Sequence, residues 1–124
     1  MRVLVCLDNI NATTAVADYL DAHGVETECA GNDELARRLL RFRHYDALLC
    51  EAESVPLARL AKTTHSQTRT VVLATDAEEL CACGPSVDAL LVKPLPLSMI
   101  LGNLDPAHGR GTTGGKPSAR SHSV

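Results

Sequence analysis

Aromatic side chains are nearly absent from this chain: Tyr19, Phe42 and Tyr45 are all it has in 124 residues, and it has no tryptophan. A core without rings must be filled by Val, Leu and Ala, which suits helices layered on a sheet better than a ligand pocket walled with aromatic faces. Long apolar runs are missing too. The longest falls far short of the roughly 18 residues a membrane helix requires, so no spanning segment is expected. Arg2 is followed by five apolar residues and then Asp8, a run shorter than the ~7–15 residues of a signal-peptide core. Export is not expected, and the five cysteines (Cys6, Cys29, Cys50, Cys81, Cys83) are expected to be free thiols in a reducing cytoplasm. Cys81-Ala82-Cys83 has a single intervening residue and no second pair at zinc-ligand spacing, which argues against a metal site. No glycine-rich loop follows the first apolar run, which argues against dinucleotide binding.

What is present fits one domain. A hydrophobic content of 45% is enough for an ordinary core. The net charge of −3 hides an asymmetry: beyond residue 106 the chain has three cations (Arg110, Lys116, Arg120), no acid and no apolar period, leaving nine cations against fifteen acids, about −6, before it. Residues 105–124 are therefore expected to be a flexible basic Gly/Ser-rich tail, and residues 1–104 the folded domain. The arginines of the 37–43 region suggest a solvated helix face more than a nucleic-acid footprint, since an acidic domain repels phosphate.

Within residues 1–104, short strand-like runs alternate with helical periods. Strands are expected at 2–7, 25–30, 47–50, 70–74 and 89–92. The first helix is expected over 12–22, capped by Asn11 or Thr13 and stopped at Gly24. The second begins at Asn32 or Asp33, with Leu35, Leu39, Leu40 and Phe42 as its buried stripe. A short third helix starts at Pro56, a clipped fourth spans 76–83, and a weak fifth covers 98–104. Five βα units specify an α/β, doubly wound parallel sheet. The carboxyl ends of such strands share one crevice, so Asp8, Glu51 and Lys93 should meet there.

The order strand-Asp8, strand-Glu51, strand-Thr75, strand-Lys93-Pro94 resembles the receiver domain of bacterial two-component response regulators. That resemblance implies a flavodoxin-like fold with strand order 2-1-3-4-5, and a cis bond between Lys93 and Pro94. Met1-Arg2-Val3-Leu4-Val5 and the block from Phe42 to Leu49 are most similar to receivers of the OmpR type.

The departures from the pattern carry the functional expectation. Leu7 stands where the family has the first of two Mg²⁺-holding acids, leaving Asp8. Glu51 stands where the family has the phosphoacceptor aspartate, and its extra methylene displaces the carboxylate from the line of transfer. With fewer acids, Mg²⁺ binding is expected to be weak or absent. The switch hydroxyl is Thr75 if the fourth strand runs to it, or is lost if Ala74 holds that position. Leu90 replaces the switch aromatic, and the loop from Ala52 to Pro56 is short.

Glu51 and Lys93 are expected either to pair permanently or to solvate the strand ends separately. These features imply a stand-alone pseudo-receiver with no catalytic residues: a phosphorylation-independent protein-interaction module in signalling or transcriptional control. Its expected partners are a histidine kinase, a phosphotransfer protein, a transcription factor or a second copy. The expected contact face is Leu80, Leu95, Leu97, Met99, Ile100 and Leu104. Two alternatives stay open: a receiver still able to accept a phosphoryl group, and an unrelated redox or small-ligand domain centred on Cys81 and Cys83.

Overall fold

The computed structural model describes residues 1–75 and 87–104. Five strands, β1 (Arg2–Cys6), β2 (Glu26–Cys29), β3 (Ala47–Glu51), β4 (Arg69–Ala74) and β5 (Ala89–Val92), form one parallel sheet in the order β2-β1-β3-β4-β5. The described helices are α1 (Ile10–Ala22), α2 (Asp33–Phe42), α3 (Val55–Thr64) and α4 (Leu97–Leu104), the last being the element expected as the fifth helix. The expected helix over 76–83, Leu80, the Cys81/Cys83 pair and the tail from 105 onward lie outside the described residues.

Alternation along the strands builds two cores. Val3, Val5, Leu49, Val71 and Leu73 face α1 and α4 and pack on Val16, Leu20, Leu97 and Ile100. Leu4, Cys6, Leu48, Cys50 and Val72 face α2 and α3 and pack on Ala36, Leu40, Leu57 and Ala61. The central strands are apolar on both faces because helices cover both. Tyr45 is buried, and its hydroxyl donates to Glu28 Oε1 at 2.6 Å. The Tyr45 hydroxyl is pushed above its ordinary pKa by burial and by that carboxylate.

Several local expectations are corrected. The cap of α1 is Asn9, not Asn11 or Thr13: Asn9 Oδ1 accepts the N–H groups of Asn11 (2.8 Å) and Ala12 (3.2 Å). Asn9 wins because its backbone is still extended after β1, as a cap requires. Thr13 is buried in the first turns, with its hydroxyl 3.0 Å from Asn9 O and 3.4 Å from Leu7 O. Asn32 caps α2 as expected, accepting Leu35 N–H at 2.8 Å. After α1, Gly24 takes φ +82, the left-handed turn that ends a helix at low cost for glycine. The third helix is not short; it runs ten residues with Pro56 in its first turn.

Two apolar stripes are placed differently from expectation. On α2 only Ala36 and Leu40 are fully buried, Leu39 is partly so, and Leu35 and Phe42 are exposed, Phe42 at 83%. At 3.6 residues per turn, Leu35 and Phe42 lie about 120–140° around the helix from the Ala36/Leu40 line, too far to reach the sheet. On α4 the correction runs the other way. Leu95, Leu97, Ile100 and Leu104, expected on an uncovered contact face, are all buried to 4% exposure or less. Positions 97, 100, 101 and 104 follow the helical period, and that face of α4 closes over β3, β4 and α1. Met99 is the described member of the expected face that stays exposed.

Candidate functional site

Register fixes where the strand ends meet. Glu51 is level with Leu73 on β4, and Leu73 with Leu91 on β5. Thr75 and Lys93 therefore lie two residues beyond that row, and period-two alternation places them on the same face of the sheet as Glu51. Ala74 has the opposite parity and is fully buried, and its carbonyl accepts Lys93 N–H at 2.8 Å. Thr75, rather than Ala74, thus shares the face of Glu51 at the end of β4. The Lys93–Pro94 bond is cis.

Glu51 and Lys93 do meet. Lys93 Nζ stands 3.1 Å from Glu51 Oε1 and 3.2 Å from Oε2, so a single ammonium bridges both carboxylate oxygens. The glutamate side chain is 8% exposed and the lysine 24%. A pair this dry is held by strong attraction but carries a large desolvation cost, so it tolerates the loss of either partner poorly. Asp8 sits exposed beyond the end of β1, at the same end of the sheet.

Asp33, considered only as a helix cap, and Ser54, seen only as a loop residue, belong to this crevice as well. The Ser54 hydroxyl donates to Asp33 at 2.9 and 3.2 Å, and the Cys6 thiol lies 3.6 Å from Asp33 Oδ1. The signal in the sequence is faint: an acid directly after the Asn32 cap, and a serine just ahead of the Pro56 turn. Burial pushes the Cys6 thiol up to about 12, reinforced by the charge and hydrogen bond of Asp33 and by the charges of Asp8 and Glu51. Asp33 is the carboxylate in contact with Cys6, while Lys93 is held by Glu51.

A thiol so protonated is inert. With iodoacetamide at pH 8, the exposed Cys29 should alkylate in the native protein while the buried Cys6 and Cys50 stay unmodified until denaturant is added; peptide mass mapping reads the result. Native modification of Cys6 would show that the crevice opens to solvent.

The resemblance to receivers implies a magnesium ion at these strand ends, and the residues present fit one poorly. Both Glu51 oxygens face an ammonium, and Leu7 is an apolar core residue. A cavity of about 680 Å³ lies at the opposite, amino-terminal end of the strands, lined in part by Asp46, Lys62, Arg69 and Asp88. Its charged groups are engaged by the fold: Lys62 Nζ is 2.6 Å from Asp88 Oδ2, Asp46 Oδ2 accepts the backbone N–H of Arg2 at 2.7 Å, and Arg69 donates to the Asn103 carbonyl.

No family model and no curated protein matches the sequence. Solved structures do match the fold. The chain is similar to a CheY-like response regulator receiver domain from Methanospirillum hungatei, with a TM-score of 0.75 and 16% identity over 92% of this chain and 98% of that one. It is similar to the response regulator TrrA from Thermotoga maritima, solved in complex with Mg(2+)-BeF, with a TM-score of 0.70 and 19% identity over 90% and 96%. It is also similar to the receiver domain of a sensor histidine kinase from Pseudomonas aeruginosa, solved with magnesium coordinated in its active-site cleft, with a TM-score of 0.71 and 19% identity over 87% and 97%. At such identities the likeness is one of fold: the chain has the five-stranded receiver fold, order 2-1-3-4-5. Among the described residues no helix is long and apolar enough to cross a membrane.

Proposed function

We propose that this receiver-fold chain is a two-component signalling domain that works without phosphorylation, as a regulatory protein-interaction module. The observation that carries the reading is the two-oxygen contact between Glu51 and Lys93 at 3.1 and 3.2 Å. In a phosphoaccepting receiver, one acceptor oxygen must attack phosphorus in line while a divalent ion offsets the developing charge. Here the acceptor-position carboxylate is longer by one methylene and both its oxygens are engaged by the lysine. The position of the first metal acid is Leu7.

The pair joins the acceptor position to the lysine through the chain's own side chains, with no phosphoryl group needed. On this reading the domain stays in one state, and control passes to its abundance and to what it binds. The chemistry of the fold suggests a histidine kinase, a phosphotransfer protein or a transcription factor as that partner. The role proposed is regulatory binding, with no catalytic residue.

A second reading, a receiver still able to take a phosphoryl group, draws support from Asp8, Thr75 and Lys93 all following the carboxyl ends of their strands. Incubation with a small phosphodonor and Mg²⁺, read as intact mass, separates the two. An unchanged mass supports the binding module, and a gain of one phosphoryl group supports the second reading.

A further inference from the structure

The one phenylalanine of this chain is on its surface. Phe42 is 83% exposed at the end of α2, in a protein with so few rings that its core is built almost without them. It is not isolated. Leu35 is 40% exposed and Leu39 half-buried, and positions 35, 39 and 42 follow i, i+4, i+7 spacing, one continuous apolar line along the flank of α2. Arg38 borders that line and Arg41 lies about 60° further around the helix, both exposed, while Arg37 is exposed on the far side. Glu34 contacts Arg38 at 3.7 Å with both side chains largely in solvent, whereas Arg37 and Arg41 have no carboxylate partner among the described residues. The fourth arginine, Arg43, is taken by Glu28 at 2.6 Å and belongs to the fold.

Aromatic and arginine side chains are the types enriched where proteins bind one another, and lysine, which α2 lacks altogether, is depleted there. The charge names the partner's chemistry: an apolar line bordered by Arg38, held only by a solvated contact to Glu34, and by Arg41 complements an apolar line bordered by carboxylates. We propose that the outer flank of α2 is a docking surface for an acidic amphipathic helix of a partner protein, with Phe42 as the central anchor, Leu35 and Leu39 extending it, and Arg38 and Arg41 pairing with acids on the incoming helix. This names a docking face for the interaction module proposed above and rests on that reading. The patch is small, so the complex is a transient one.

The test is a helical-peptide display selection on the full chain, followed by fluorescence anisotropy with the enriched peptides. Enriched peptides should carry an excess of Glu and Asp beside an apolar stripe. They should bind at least about tenfold more weakly to Phe42→Ala and to the Arg38→Glu/Arg41→Glu variant. Both variants should keep the wild-type unfolding midpoint, because the altered side chains are exposed; Phe42→Ala alone decides if the charge reversal disturbs folding. Enrichment no greater than on the Phe42→Ala protein, peptides with no acidic excess, or equal binding to wild type and variants would each overturn the proposal. A wild-type dimer in sedimentation that Phe42→Ala dissolves would give the surface to a second copy instead. Binding of a short duplex DNA, lost in the charge-reversed variant, would give it to nucleic acid. Phosphoryl uptake by the wild type would sink the functional reading while leaving the peptide result intact, so the two failures are distinguishable.

Discussion

Replacing Lys93 by alanine is expected to destabilise the folded domain by about 3 kcal/mol, the scale for removing one partner of a buried ion pair, reduced for the lysine's partial exposure. The physical origin is what remains. Glu51 is 6% exposed, and without the ammonium at 3.1 Å its charge is left in a site with little water to solvate it. Thermal or urea unfolding measures the loss. The double variant Glu51→Leu/Lys93→Ala should recover most of it, because the orphaned charge is gone and the leucine fills the strand end. The recovery therefore measures how much of the Lys93→Ala loss is the penalty of leaving the Glu51 charge unpaired. A Lys93→Ala variant within about 0.5 kcal/mol of wild type would mean that the two side chains are solvated separately in solution, as exposed pairs are.

The second large effect is expected at Ile100. It is fully buried in α4 among Leu97, Leu101 and the β3/β4 face of the sheet, and Ile100→Ala should cost about 3–4 kcal/mol through lost burial and the cavity left behind. Met99, next in the chain but 48% exposed, should cost less than about 0.5 kcal/mol when replaced by alanine. The comparison matters for function as much as for stability. A binding defect in an Ile100 variant would report unfolding, while the same defect in a Met99 variant would report a contact. Equal, small effects at both positions would show that α4 is not packed against the sheet in solution.

The layered architecture was legible because strand and helix periods differ and the strands are short, apolar in all but the edge strand β2, whose Glu26–Cys29 run is polar. Reading Glu51 and Lys93 as neighbours needed only the rule that parallel strands open onto one crevice at their carboxyl ends. Local choices among equivalent residues were harder. Asn9, Asn11 and Thr13 can each cap a helix, and the choice fell to the one whose backbone was still extended. The apolar stripes of α2 and α4 show the deeper limit. Periodicity tells which residues share a helix face, but not how wide a face the neighbours cover. On α2 the cover stops at Ala36 and Leu40 and leaves Phe42 in solvent, whereas on α4 it includes the leucines and Ile100. The Asp33–Ser54–Cys6 contacts join residues from three separate parts of the chain through side-chain geometry that no sequence spacing encodes.

The central claim is that the crevice is occupied from within by the Glu51–Lys93 pair and no longer takes up phosphate. Its most direct test is the intact mass of three proteins after incubation with acetyl phosphate and Mg²⁺: wild type, Glu51→Asp, and Leu7→Asp/Glu51→Asp. The expected result is no change for the wild type and a gain of one phosphoryl group, about 80 Da, only where both acids are restored. A phosphoryl gain by the wild-type chain, abolished by Glu51→Gln, would contradict the account.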